Sequence, residues 1–150
     1  LDKASVDIVI AAQAFHWFDP IAFKQECSRI SKSNKVILVW NTKDPDQPYL
    51  KELEIVNKRM CPDFKGFSGG IHTEQINSFF DGEYSKRSFE NNFTVAKEEF
   101  IRGILTGSYT PNPADPAYAE YIDAIEMIFE ANNRKGFLEI RNNTIAYFSV

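Results

Sequence analysis

The stretch Gln13-Ala14-Phe15-His16-Trp17-Phe18 sets an amide, an imidazole and an indole within five consecutive positions. An imidazole changes charge near neutral pH and can take a proton as a general base, so His16 is the candidate catalytic residue. The faces of Trp17 and Phe15 can wall a planar or cationic ligand. The same rings, with Phe18, can equally plug the top of a sheet, and the residue types alone leave both readings open. Trp40-Asn41 and Ser108-Tyr109 are further candidates, since each joins an aromatic ring to a polar group. His72, after Gly69-Gly70, has no chemical partner nearby in sequence and reads as a solvated loop histidine.

These residues need elements to position them. Val6 to Gln13 is a short, β-branched apolar run, the pattern of a strand buried on both faces of a parallel sheet. Phe15 to Phe18 then forms a loop. Asp19-Pro20 opens a helix, with Asp as N-cap and Pro at the first helical position, and Phe23, Cys27 and Ile30 give it an apolar stripe to about Ser31. After a turn at Ser33-Asn34, Val36 to Trp40 is a second strand. Strand, helix, strand at this spacing is a βαβ unit with a right-handed crossover. In open α/β sheets ligands bind at the carboxyl ends of the strands, which is where Gln13 to Phe18 and Trp40-Asn41 fall.

Further on, Thr42 to Pro48 reads as a loop, Tyr49 to Met60 as a helix, Asp63 to Gly70 as a loop and Thr73 to Phe80 as a short helix. Tyr84 to Thr94 reads as one strand, followed by a helix marked by Phe100, Ile101, Ile104 and Leu105. Asp115-Pro116 repeats the cap signal for a long helix stopped near Gly136. Phe137 to Arg141 and Thr144 to Val150 flank Asn142-Asn143, whose tolerance of positive φ predicts a hairpin. The expectation is an α/β fold of two parallel strands plus antiparallel edge strands, flanked by helices, in one domain over residues 1–150.

Composition removes several classes of function. A net charge of -4 offers no basic excess to neutralise phosphates, so nucleic acid is not an expected partner. No run approaches the ~20 apolar residues of a membrane span. Cys27 and Cys61 stand far apart, without metal-ligand spacing, so neither a metal site nor a disulfide framework is expected. With no leader visible, the expected compartment is the cytoplasm. Phosphate cradles need glycine, yet none of the seven glycines precedes Gly66, and G-x-G-x-x-G does not occur. A hydrolase built on His16 has no convincing nucleophile accompanying it.

Ser5 through Asp19, reading SVDIVIAAQAFHWFD, resembles the class I S-adenosylmethionine-dependent methyltransferases of the type 11 group, at their fourth strand and the loop after it. The resemblance runs on through Glu26, Arg29-Ile30 and the fifth strand at Val36 to Trp40. The family's Pro-Gly turn is replaced here by Ser33-Asn34. Ile104 to Tyr109 is similar to a Ser-Tyr element of the trans-aconitate-type subgroup, and Thr144 to Val150 to the antiparallel last strand.

The resemblance implies the C-terminal half of a Rossmann-like methyltransferase sheet. It implies S-adenosyl-L-methionine as cofactor, bordered by Ala12, Gln13 and Ala14, and a small-molecule methyl acceptor met by Phe15, His16, Trp17, Trp40, Asn41, Ser108 and Tyr109. The family's glycine-rich loop and its two acidic cofactor contacts would lie before Leu1. The expectation is therefore a fragment, inactive alone, whose open Val6–Gln13 edge pairs with another copy or another chain. The alternatives are a non-catalytic interaction module and one half of a split enzyme.

Overall fold

The computed structural model describes residues 1–67 and 73–149; the candidate His72 lies outside them, as do the end of the 63–70 loop and Val150. The chain forms two compact units. The first comprises residues 1–42, the stretch ending at Asn91, and the chain from Asn143 onward; the second comprises residues 43–68 and 92–142.

In the first unit, strand β1 (Val9–Ala12) leads through a 3-10 turn (Phe15–Trp17) into helix α1 (Pro20–Ile30) and strand β2 (Val36–Lys43). β1 and β2 pair in parallel, with Ala11 opposite Leu38, as the βαβ spacing predicts. Asp19 caps α1 as expected, its carboxylate accepting from the Ala22 N–H at 2.7 Å. Helix α3 (Thr73–Phe79), strand β3 (Tyr84–Glu90) and strand β6 (Asn142–Ser149) complete the unit, and the sheet runs β1-β2-β6-β3. β3 is antiparallel to β6. Ser149 Oγ meets the Val36 N–H at 3.3 Å while Thr144 Oγ1 meets Asn41 at 2.8 Å, so β6 also runs against β2. The result is a mixed α/β sheet.

Its core joins Ala11, Leu38 and Trp40 of the sheet to Cys27 of α1, Ile76 and Phe79 of α3, and Tyr147 of β6. The other face of the same strands carries Ile8 and Ile10, 48% and 62% exposed, half-buried Ile37, Val39 and Phe148, and Phe89 at 58%. Burial of the first strand on both faces is thus corrected: β1 is an edge strand with one covered face. Period-two alternation sends Val9 and Ala11 toward the helices and Ile8 and Ile10 to the other side.

In the second unit, helices α2 (Pro48–Met60), α4 (Lys97–Leu105) and α5 (Tyr118–Asn132) accompany strands β4 (Phe93–Ala96) and β5 (Phe137–Ile140). Leu50 and Leu53 of α2, Phe100 of α4, Tyr121, Ile125 and Phe129 of α5, and Leu138 and Ile140 of β5 form its core. Among the described residues no helix is long and apolar enough to cross a membrane.

Five further expectations change. The Phe15–Phe18 loop is a 3-10 turn, and β2 continues three residues past Trp40 into the anticipated loop. The single strand over Tyr84 to Thr94 is two strands in different sheets, broken at Asn91-Asn92. Asn142-Asn143 makes no hairpin: β5 pairs with β4 and β6 with β3, and neither Asn has positive φ. The Asn142 N–H is instead satisfied by the Asn92 side chain at 2.9 Å, which carries the backbone straight on. Finally, Asp115 accepts from the Ala117 N–H at 2.9 Å and closes a turn, so α5 begins later, at Tyr118.

Truncating Leu38, which is fully buried in the first unit, to Ala is expected to destabilise the chain by about 2–5 kcal/mol in urea unfolding. Removing the α1 cap with Asp19→Ala should cost about 1 kcal/mol.

Candidate functional site

The site is built at the carboxyl ends of β1 and β2. Gln13 is the hinge into it. Its N–H donates to Val39 O at 2.9 Å, holding it to β2, while its φ of 52° turns the chain sharply off the strand. Left-handed φ is strained for a residue with a Cβ, at about 1–2 kcal/mol. The 3-10 turn follows at once, closed by the Trp17 N–H to Ala14 O at 2.9 Å and the Phe18 N–H to Phe15 O at 3.0 Å.

Within that turn, alternate residues go to different places. Phe15 is 2% exposed, its ring 5.0 Å from Phe79, 5.9 Å from Phe23 and 6.2 Å from Trp40. It is a core residue in this fold. His16 and Trp17 are presented outward, their rings 4.8 Å apart and tilted, with Trp17 79% exposed. Phe18 stacks on Phe23 at 4.8 Å. The open alternatives for these rings therefore separate by residue: Phe15 packs inward, whereas Trp17 and the 42%-exposed Phe18 do not plug the sheet.

Trp40 is 1% exposed and packs edge-on against Tyr147 at 6.1 Å, with its indole N–H unpartnered. Asn41 is exposed, and its carbonyl oxygen accepts from Thr144 Oγ1. Ala12 and Gln13 are exposed and Ala14 half-buried. The structure thus sets Ala12, Gln13, Ala14, His16 and Trp17 at the carboxyl end of β1 next to the buried rings of Phe15 and Trp40, while alternation along β2 places the Asn41 side chain on the opposite face of the sheet from Trp40, with Thr144. Phe79 beneath Phe15 supports the site from a distant part of the chain, and no local pattern marks it.

Ser108 and Tyr109 belong to the second unit. Ser108 is exposed; Tyr109 is half-buried, with its ring 4.9 Å from Phe64. That ring lies over Gly107, where an added Cβ would come within 2.9 Å of Tyr109 Cζ. Burial holds the Tyr109 phenol above its ordinary pKa.

Among the described residues no cluster of His, Cys, Asp and Glu could hold a metal ion. Both thiols are free and buried. Burial pushes Cys27 up to about 11, with the Glu26 charge adding to it, and also raises Cys61.

No family model matches the chain. An uncharacterized methyltransferase-like protein of Schizosaccharomyces pombe is 38% identical over 68 residues, which is 45% of this chain and 27% of that protein. An uncharacterized methyltransferase of Mycobacterium tuberculosis is 42% identical over 60 residues, 39% of this chain and 25% of its own length. The matched stretch thus spans about a quarter of these curated relatives. A solved chain from Anaeromyxobacter dehalogenans, described as a provisional type II methyltransferase, superposes with a TM-score of 0.58 at 20% identity, over 99% of this chain and 65% of that one. The chain therefore has an α/β fold of the kind found in that methyltransferase-type structure.

Two outcomes follow from the site's geometry. Gln13→Gly is expected to hold or raise stability by up to about 1 kcal/mol, because glycine adopts this φ freely, and Gln13→Val to lower it; urea unfolding reads both. For Cys27 the native chain holds its proton up to about 11, while an ordinary thiol releases it near 9.0. Between those values the native state binds more protons than the unfolded one, so stability should fall as pH rises through that window. Iodoacetamide at pH 8 should label the native thiols far more slowly than those of the urea-unfolded chain.

Proposed function

We propose that this chain is the carboxyl-terminal portion of an S-adenosyl-L-methionine-dependent methyltransferase, of trans-aconitate-like type, that methylates a small molecule. The observation carrying the reading is the exposed His16–Trp17 pair, its rings tilted and 4.8 Å apart, where two parallel strands end. Identities of 38% and 42% to proteins named as methyltransferases support the reaction class.

The residues fit one wall of a cofactor site. Ala12 and Gln13 are exposed at the strand end, and with Ala14 they would border the cofactor, which supplies a methyl group on a sulfonium. A cradle is not among them, since no glycine precedes Gly66. On this reading His16 accepts the proton released by the acceptor and Trp17 gives the acceptor a flat surface. Phe15 acts beneath them by fixing the turn. Most of the catalytic gain would come from alignment, with base assistance where the nucleophile is protonated.

With only part of the site present, the chain is inactive alone. Isothermal titration calorimetry with S-adenosyl-L-methionine should show no binding by this chain; clear micromolar binding would contradict the requirement for a further segment.

One observation favours a second reading, half of a split enzyme or an interaction module. β1 is an edge strand, its outward N–H and C=O groups are available for pairing, and exposed Ile8 and Ile10 lie alongside. Sedimentation at micromolar concentrations should show a dimer or larger species, and Ile10→Lys should shift it to monomer. A monomer at every concentration would count against pairing through this edge. Recovery of an N-terminal methyltransferase half in a pull-down would favour the split enzyme over the module.

A further inference from the structure

The exposed His16–Trp17 pair has apolar company. Trp17 is 79% exposed, Phe18 42% and Ile21 71%. Single exposed apolar side chains are ordinary on a protein surface, but three within five consecutive positions form a patch, and a patch marks a contact surface. Local geometry explains why none of them is enclosed. Phe15 takes the inward place in the 3-10 turn. Phe23 of α1 packs on the core, and Ile21, two residues earlier, stands about half a turn around the helix from it. Ile21 instead lines an open cleft of about 580 Å³ together with Pro20, Lys24, Phe79 and Asp81. A cleft of that size suits a small organic molecule.

The charges at this surface are already engaged. Lys24 and Asp81 are the two charged side chains that line the cleft, and they pair with each other at 2.7 Å. Asp19 accepts the Ala22 N–H as the cap of α1. Further along α1, Arg29 holds Glu26 at 2.6 Å. The other cations of the first unit lie elsewhere: Lys3, Lys32 and Lys35 precede β1 or β2, at the far end of those strands, and Lys86 and Arg87 lie on β3, beyond β6 in the sheet. An anionic ligand would lose hydration here without gaining a partner.

We propose that the methyl acceptor is uncharged, with a flat apolar body that lies on Trp17 and extends past Ile21 while its nucleophile stands beside His16. The proposal rests on the reading of His16 and Trp17 as the acceptor surface. It sets this acceptor apart from the carboxylate after which the trans-aconitate-type subgroup is named.

The chain has two tryptophans, so an isotopically labelled sample gives two indole N–H resonances, one from exposed Trp17 and one from buried Trp40 as an internal control. Trp17→Phe assigns them. The 150-residue chain is titrated with benzyl alcohol and, separately, with benzoate, which share a ring and differ in charge, at constant ionic strength. No cofactor enters the measurement, so a negative result here leaves the methyltransferase reading standing. The expected result is a saturable shift of the Trp17 resonance with benzyl alcohol, an unmoved Trp40, and binding of benzoate weaker by about tenfold or more. Ile21→Lys, at an exposed position, should keep the fold and turn the preference toward benzoate. A Trp17 resonance that does not respond, equal affinity for the two probes, or an unaltered preference in Ile21→Lys overturns the proposal. So does a Trp17 resonance that moves when the free chain is diluted, because a second copy would then occupy the surface.

Discussion

Burial of the Phe15 ring is the contact on which the candidate site depends. Gln13 leaves β1 in a strained left-handed conformation, and the turn after it is only three residues long. Such a turn makes few hydrogen bonds of its own. Phe15 pins it by entering the core between Phe23, Phe79 and Trp40. With that ring inside, helical geometry sends the next two side chains outward, so His16 and Trp17 share an exposed surface without being held by each other. The anchor joins four elements: the turn itself, α1 through Phe23, β2 through Trp40, and α3 through Phe79. A ring of this size supplies an edge-to-face pair worth about 0.5–1.5 kcal/mol beyond its area burial, and together with that burial this offsets the strain at Gln13.

The same unit shows what a sheet does when only one face is covered. Ala11, Leu38 and Tyr147 reach the helices and pack. Their neighbours Ile8, Ile10 and Phe89 have the same affinity for apolar surroundings and remain exposed. Sheets with parallel strands are normally covered on both faces because crossover connections put helices there. An edge strand with an apolar face is a surface suited to pairing.

The second unit rests on a different arrangement. Tyr121 is fully buried and donates its hydroxyl to Asn57 at 2.7 Å, so α5 and α2 are joined by a polar contact inside an apolar core. Gln47 ties the start of α2 to the backbone around Arg141. These side-chain amides replace local capping, while the Gln47 main-chain carbonyl accepts the Leu50 N–H at 3.1 Å and the Tyr49 hydroxyl is left without a partner. A polar chain segment satisfied by a distant partner is inexpensive, but it withdraws that partner from its own neighbourhood.

Local signals carried much of the fold. Asp19-Pro20 placed α1 because a cap needs only its own next three residues. The βαβ spacing predicted the parallel pair, and the segment from Gln13 to Trp17 stood out as a candidate site because its residue types are adjacent in the chain. What no local signal could decide is which surface each residue meets. Whether Phe15 faces a ligand or the core depends on Phe79, more than sixty residues away; Asn142-Asn143 as hairpin or straight passage depends on Asn92. Burial on both faces, read from the apolar run at Val6 to Gln13, depends on what lies beyond β1. Backbone preference and periodicity act over a few residues, so the sequence by itself determined the elements and the chemistry they carry. Burial and pairing are settled by partners distant in the chain, so tertiary structure alone decided which of those side chains are presented and which are enclosed.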